Sequence, residues 1–347
     1  MSRATEPPRA GPVSQRPAQQ WVLRQPFGKR EIATLLVVSV LLGASARHIQ
    51  IPNLVLLTTD WIASGLGLKK TSQIGKGLGR FASGAFPMVI AEVTPVSRVE
   101  GFDRAHLPLF ARIEERETRT SRYDVEQNKM VETVGREEVV VEPFGYLVYV
   151  FGKMLESLEM ALWGTILALV VGLPLAYFGA HGYAPHRIFY LLSRLVSSFM
   201  RAVPELVSSL VLVLAFGFGP MAGVVALGFH SAGFFGKFFA DDVENADRAS
   251  QEALLAVGAN RLKVFRHAVL PQVLPQYIAY TQYILERNVR MATVIGIVGA
   301  GGIGIELKGR FDMFDFGHVS TIIFAIFLTV LLLERLTQGV RGRLIGA

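Results

Sequence analysis

Two long runs without charged residues constrain this chain most. Residues 160–180 contain 21 consecutive positions, and residues 206–236 contain 31, without Asp, Glu, Lys or Arg. A helix needs about 20 apolar residues to cross the hydrocarbon core of a bilayer. Charged residues make up only 18% of the 347-residue chain, against about 25% in soluble domains. The chain is therefore predicted to be a polytopic membrane protein.

The apolar runs predict an all-α transmembrane bundle of about six helices. The 31-residue run is too long for one ordinary span and contains Gly217-Phe218-Gly219-Pro220, so it is divided into two spans at that turn. The six spans are predicted at 32–51, 160–180 with a lead-in from 147, both halves of 206–236, 268–305 and 316–333. An alternative for the first span is a signal peptide that ends at Ala44-Ser45-Ala46, because small residues mark cleavage sites.

The distribution of Lys and Arg predicts both termini on the cytoplasmic side of an inner membrane. Basic residues mark the Pro-rich arm 1–31, the loops 181–201 and 237–267, and the tail 341–347. The opposite side receives residues 52–146, which include a charged insertion at 98–142 with eleven acidic and eight basic residues. This insertion is either a solvated loop or a docking surface for a partner. A hairpin is indicated around Gln127 and Asn128.

Motifs for catalysis are missing from the sequence. It contains no P-loop, no His-Glu-x-x-His zinc motif and no nucleophile elbow around Ser231. It also contains no cysteine, which excludes disulfides and thiolate metal sites. We therefore expect no catalytic residue, metal or cofactor. The net charge of +7 follows the loops of a membrane protein, so no nucleic-acid partner is expected. His230 is expected to pack or to bond to the backbone.

A helical hairpin is predicted within the cytoplasmic loop 244–271. Asp247 can cap its first helix, Gly258 permits a left-handed turn, and Asn260 can open a second helix that stops before Pro271. Small residues recur at helical spacing at Ala246, Ala249, Ala253 and Ala256. Such a surface can seat in a groove of a cytoplasmic partner, although an amphipathic connector would show the same pattern.

The spacing Glu252-Ala253, Gly258, Leu270-Pro271 resembles the coupling loop of ABC importer permeases, with departures only at Leu254 and Ala268. Further motifs make residues 147–340 similar to the permease subunit of phosphonate importers: Trp163-Gly164-Thr165, Leu173-Pro174, Arg201-Ala202 with Glu205, Gly217 to Leu227, Glu286 to Arg290, Ala292-Thr293-Val294 and Val298 to Gly304.

This resemblance implies a transport subunit that is not itself an enzyme. A separate cytoplasmic ATP-binding subunit would hydrolyse ATP and contact the coupling residues Glu252, Ala253, Gly258, Ala259, Leu270 and Pro271. An extracytoplasmic binding protein would deliver phosphonate, and the permease would pair with itself. Alternatives are import of phosphite, phosphate or an amino acid, or a different class, namely an ATP-independent carrier or a membrane-embedded enzyme.

Charged residues inside the fifth span suggest a path for an anion. The expected path residues are Arg287, Asn288, Arg290, Thr293, Gly299, Gly301 and Gly302. Guanidinium groups match phosphonate oxygens, and a glycine-broken membrane helix often lines a cavity. The alternative is that Arg287 or Arg290 pairs internally with Glu286 or Glu205. Arg201, Pro204 and Glu205 are expected to form an inner gate, unless they only cap a helix.

Overall fold

The computed structural model describes residues 28–99, 101–104, 107–108, 110–124 and 129–345. Most of the predicted arm 1–31 therefore lies outside the described residues. The chain divides into two compact units, residues 1–79 and 80–347.

The first unit is helical. Helix α1 (Lys29–His48) lies where the first span is predicted and is long and apolar enough to cross a membrane. Helix α2 (Ile51–Gly65) follows it after Gln50, which adopts a left-handed φ of 58°. Helix α3 (Gln73–Ala85) begins in this unit and ends in the second. Helices α2 and α3 were not predicted for the segment 52–146.

The chain is mostly helical, as predicted, and the charged insertion 98–142 supplies two strands of a small antiparallel sheet beside the helical bundle. The strands of this sheet are β1 (Glu92–Pro95), β2 (Arg112–Asp124) and β3 (Lys129–Glu142), in the order β1-β3-β2. Strands β2 and β3 pair from Arg112 with Val141 to Asp124 with Lys129, which confirms the predicted hairpin. Its turn, 125–128, lies outside the described residues.

The second unit continues with the helical bundle. Its helices are α4 (Gly145–Gly179), α5 (Arg187–Ala202), α6 (Glu205–Phe216), α7 (Pro220–Asn245), α8 (Arg248–Ala256), α9 (Arg261–Val264), α10 (Leu270–Gly296), α11 (Ile303–Asp312) and α12 (Phe316–Ile345). The predicted tail 341–347 is thus helical as far as Ile345.

Helices α4 and α7 form the centre of the bundle and approach closely at glycines. A Cβ atom on Gly164 would lie 2.8 Å from Cβ of Leu227, and one on Gly172 would overlap Phe235. Phe235 and Phe239 of α7 are almost fully buried. Small residues let membrane helices pack closely, so these glycines fix the α4–α7 contact.

Among the described residues, four helices are long and apolar enough to cross a membrane: α1, α4, α7 and α12 up to Gly339. Helices α5 and α6 meet at 90° and count together as a fifth candidate. Helix α10, predicted as a span, has 27 residues but is not among the four; it carries Glu286, Arg287 and Arg290.

The loop predicted at 181–201 is wrong, because most of it forms α5. Its protein-facing residues are small or flexible, namely Ser193, Ser197 and Met200, whereas Leu191, Leu195 and other apolar side chains are exposed. An apolar face directed outward is typical of a membrane helix. Because Arg187, Arg194 and Arg201 interrupt the sequence of α5, this face does not appear as a long uncharged run. The half-span α6 has only 12 residues, too few to cross alone.

The predicted glycine break after α10 is confirmed. The φ values at Gly299, Gly301 and Gly302 are 95°, 96° and 68°, which residues other than glycine rarely adopt. The break packs against the turn before α7: Gly219 donates its backbone N–H to the Gly299 carbonyl at 3.1 Å. The carboxylate of Glu156 accepts the N–H of Gly302 at 3.0 Å. Protein groups therefore satisfy this irregular backbone.

Candidate functional site

The predicted helical hairpin at 244–271 is present, with the predicted caps. Asp247 accepts the backbone N–H groups of Ala249 and Ser250 at 3.2 and 3.1 Å, and Asn260 accepts that of Lys263 at 2.9 Å. Hydrogen bonds from the Ser250 hydroxyl and these N–H groups hold the pKa of Asp247 below its usual range. Gly258 has φ of 84°, as the left-handed turn requires.

The predicted end of the second helix before Pro271 is wrong. Helix α9 continues through a π-helical turn at Phe265–Val269 directly into α10. Proline lacks an N–H and clashes with the preceding turn of an α-helix. The wider π turn precedes Pro271, which then occupies the first turn of α10, where its missing donor costs little. Helix α9 and helix α10 are thus one continuous helical segment from Arg261 to Gly296.

Side-chain bonds join helix α8 to the bundle. The backbone N–H of Asp247 donates to Gln272 of α10 at 3.0 Å. The hydroxyl of Tyr183, in the turn after α4, donates to Gln251 at 2.9 Å. The ring of Phe265 contacts those of Tyr177 and Tyr183. A displacement of α8 would therefore reach both α10 and the turn between α4 and α5.

The outer face of the hairpin is exposed, small and partly apolar. Leu255 is 52% exposed and Val257 80%. A Cβ atom on Gly258 would meet nothing within 4 Å. Of the predicted coupling residues, Glu252, Ala253, Gly258 and Pro271 are exposed, whereas Ala259 and Leu270 are half-buried. This face has the exposure that a docking surface needs.

Predicted gate and path residues meet at the start of α6. Glu205, in the first turn of α6, forms an ion pair with Arg287 of α10. His230 of α7 places Nε2 3.3 Å from Oε1 of Glu205, and its Nδ1 lies 2.9 Å from the carbonyl oxygen of Val203. The Glu205 side chain is only 12% exposed. The carboxylate is therefore mostly buried and is contacted by two side chains, those of Arg287 and His230.

Aromatic rings complete the same cluster. The guanidinium carbons of Arg201 and Arg287 lie 5.5 and 5.0 Å from the ring centre of Phe234. Arg201 also lies 6.0 Å from the ring centre of Phe238. We call Arg201, Glu205, His230, Phe234 and Arg287 the arginine–phenylalanine cluster.

The other predicted path residues bond within the bundle. Buried Asn288 accepts the hydroxyl of Ser231 at 3.0 Å and donates to Thr165 at 2.9 Å. Arg290 pairs with Glu286 at 2.5 Å, and Thr293 donates to the carbonyl of Arg290 at 2.7 Å. Pro204 is exposed at the N-cap of α6. Both internal ion pairs that the sequence left open, at Arg287 and at Arg290, are thus present.

A network around Arg194 was missed in the sequence. Arg194 of α5 pairs with Asp241 and, at 2.9 Å, with Glu244 of α7, and its Nε donates to the Gly179 carbonyl at 2.7 Å. It therefore ties α4, α5 and α7 at one end of the bundle. The available signal was Asp241 and Glu244, one helical turn apart beside an apolar run, where acids need basic partners.

Comparison with known proteins decides the family. Residues 164–344 match the family described as "binding-protein-dependent transport system inner membrane component". The chain belongs to this family. It is a multi-pass membrane protein and the permease component of a binding-protein-dependent ABC importer.

Curated relatives of this permease include proteins named for phosphorus compounds. It is 50% identical over 260 residues to a putative phosphite transport system permease protein of Stutzerimonas stutzeri, covering 75% of this chain and all of that one. It is 40% identical over 122 residues to a putative cryptic phosphonate transport system permease protein of Escherichia coli K12, covering 35% of this chain and all of that one.

A solved structure supports the fold alone. An inward-facing methionine ABC transporter chain aligns with a TM-score of 0.50 and 19% identity, covering 56% of this permease and 96% of that chain.

Proposed function

We propose that this permease carries a small phosphorus oxyanion, a phosphonate or phosphite, into the cell. The observation that carries the proposal is the 50% identity over the full length of a permease named for phosphite. A phosphonate is supported by the relative from Escherichia coli. The cluster contains two arginines and one glutamate, which pairs with Arg287, and surplus guanidinium suits an anionic cargo.

The partners follow from the same proposal. A cytoplasmic ATP-binding subunit hydrolyses ATP and docks on Glu252, Ala253, Gly258, Ala259, Leu270 and Pro271. A binding protein delivers the oxyanion on the opposite side, and a second copy of this permease completes the channel. Both termini then face the cytoplasm. The hydrogen bonds from Asp247 to Gln272 and from Tyr183 to Gln251 support transmission of movement from the ATPase to the bundle.

The path beyond the cluster remains a prediction. Arg290, Asn288, Thr293 and the glycines Gly299, Gly301 and Gly302 are proposed to line it. Arg290 is the charged member of this set, with 45% of its side chain accessible.

The test is uptake of labelled methylphosphonate, 2-aminoethylphosphonate and phosphite by cells that express all three components. Gly258→Asp and Gly258→Asn form a matched pair, because both side chains tolerate left-handed φ and differ only in charge. We expect Gly258→Asp to lower uptake at least about tenfold, since a buried unpaired charge at an interface costs several kcal/mol. Gly258→Asn should retain most uptake.

Two results would contradict the proposal. Wild-type cells that take up none of the three oxyanions, while the complex still hydrolyses ATP, would exclude the substrate class. Uptake into liposomes by the purified permease without its ATPase would replace the importer with an ATP-independent carrier.

A further inference from the structure

The two arginines around Phe234 have more hydrogen-bond donors than the described chain satisfies. Arg201 contacts only aromatic rings there and makes no ion pair with a described carboxylate. Arg287 pairs with Glu205 through Nη2, but its Nη1 is buried without an acceptor. A buried N–H group without a protein partner is costly, so this position favours binding of an acceptor.

Charge points to the nature of that acceptor. Arg201 and Arg287 contribute two positive charges, and Glu205 contributes one negative charge. His230 is held between the Val203 carbonyl and Glu205 and adds no negative charge. The cluster therefore has an uncompensated positive charge in a partly buried setting, where it attracts an anion more strongly than in water.

The positions of the two guanidinium groups further indicate which kind of anion fits. The guanidinium carbons of Arg201 and Arg287 lie 5.5 and 5.0 Å from the same ring centre, that of Phe234, so both groups border that ring. The planar fork of a guanidinium matches the oxygens of a phosphoryl group in pairs. A tetrahedral oxyanion can offer separate oxygens to two guanidinium groups, whereas a carboxylate such as Glu205 has only two oxygens to share between them.

We propose that Arg201 and Arg287 form the binding position for the transported oxyanion, and that Glu205 competes with the oxyanion for Arg287. This inference rests on the function proposed above. Glu205 then sets specificity and release: only an anion that outcompetes it binds, and its return to Arg287 helps the anion to leave. A transport site must bind well enough to accept its cargo and weakly enough to lose it.

The test measures binding of labelled methylphosphonate, and of phosphite and inorganic phosphate, to the permease–ATPase complex in nanodiscs without the binding protein. Arg201→Gln and Arg287→Gln should weaken binding about tenfold, the order of one charge-assisted hydrogen bond. Arg201→Lys should retain part of it. Glu205→Gln should strengthen binding by a similar factor, because it removes the competitor while keeping the side-chain shape. Arg187→Gln, at the exposed start of the same helix α5, is the matched control and should bind as wild type.

The gain in Glu205→Gln is decisive, because misfolding cannot produce it. Equal or weaker binding by Glu205→Gln would overturn the competition, and wild-type binding by Arg201→Gln would overturn the assigned site. Absence of binding for all three oxyanions in both wild type and Glu205→Gln would overturn the inference entirely. If cells nevertheless take up methylphosphonate, only this inference falls; if they take up no phosphorus oxyanion, the proposed function falls.

Discussion

Single residues that make distant contacts were the hardest to predict. Glu205 and Arg287 are 82 positions apart, and sequence reasoning could only list Arg287 or Arg290 against Glu205 or Glu286 as possible pairs. A buried arginine in a low-dielectric interior needs an oppositely charged partner, but this requirement does not determine which glutamate it is. The rings of Phe234 and Phe238 lay inside an apolar run, where nothing distinguishes an aromatic partner of arginine from ordinary core.

Glycines at helix contacts lead to a prediction for single residues. A Cβ atom on Gly233 of α7 would lie 2.7 Å from the carbonyl oxygen of Ser197 and 2.8 Å from the backbone N of Arg201. Backbone cannot move aside as a side-chain tip can, so Gly233→Ala should destabilise the protein by about 1–3 kcal/mol. Gly152→Ala in α4 is the control, since its Cβ would meet nothing within 4 Å. Thermal unfolding in detergent should show a lower midpoint for Gly233→Ala alone. Equal midpoints would refute the close α5–α7 contact.

Elements defined by local signals were predicted well. The hairpin around α8 depends on Asp247, Gly258 and Asn260, each of which acts on its own few residues. Helix α5 was missed because its apolar side faces outward and charges interrupt it. The continuation through Pro271 was missed because no sequence signal indicated the π turn at Phe265–Val269 that precedes the proline.

The cap of α8 leads to a prediction for an element. Asp247→Ala should fray α8, speed hydrogen exchange in residues 248–256 and lower ATP-driven uptake, whereas Asp247→Ser should retain both because serine also caps. The folded pKa of Asp247 is lowered, so its contribution is present above the unfolded pKa of about 3.9 and is lost as pH falls through the folded value. The protection of the α8 amides against hydrogen exchange, relative to their intrinsic exchange rates, should therefore stay constant between about pH 5.5 and 8, because Asp247 remains ionised. Unchanged exchange in Asp247→Ala at neutral pH would exclude the capping role.

At the scale of the second unit, the segment just before the charged insertion is hydrogen-bonded to the bundle. The backbone N–H of Leu147 in α4 donates to Ile90 at 3.2 Å, and the Thr321 hydroxyl of α12 donates to Val89 at 2.7 Å. Strand β1 covers only residues 139–142 of β3, where Val139, Val140 and Val141 are buried. Beyond this base, β2 and β3 pair only with each other among the described residues. The base is thus part of the folded unit.

Trimming the outer hairpin separates a docking role from a solvated loop. Glu117 pairs with Arg136, so replacing residues 118–135 by Asn-Gly should close a two-residue hairpin and leave the β1–β3 pairing intact. We expect the trimmed permease to assemble with its ATPase and to keep basal ATP hydrolysis, because the buried valines and the joints to α4 and α12 remain. If the hairpin contacts the binding protein, stimulation of ATP hydrolysis by the loaded binding protein should need a several-fold higher concentration of that protein. The same concentration dependence in trimmed and full-length permease would assign the hairpin to solvent. A control that replaces Gly101 by Ala-Gly lengthens the insertion outside both strands and should leave that dependence unchanged.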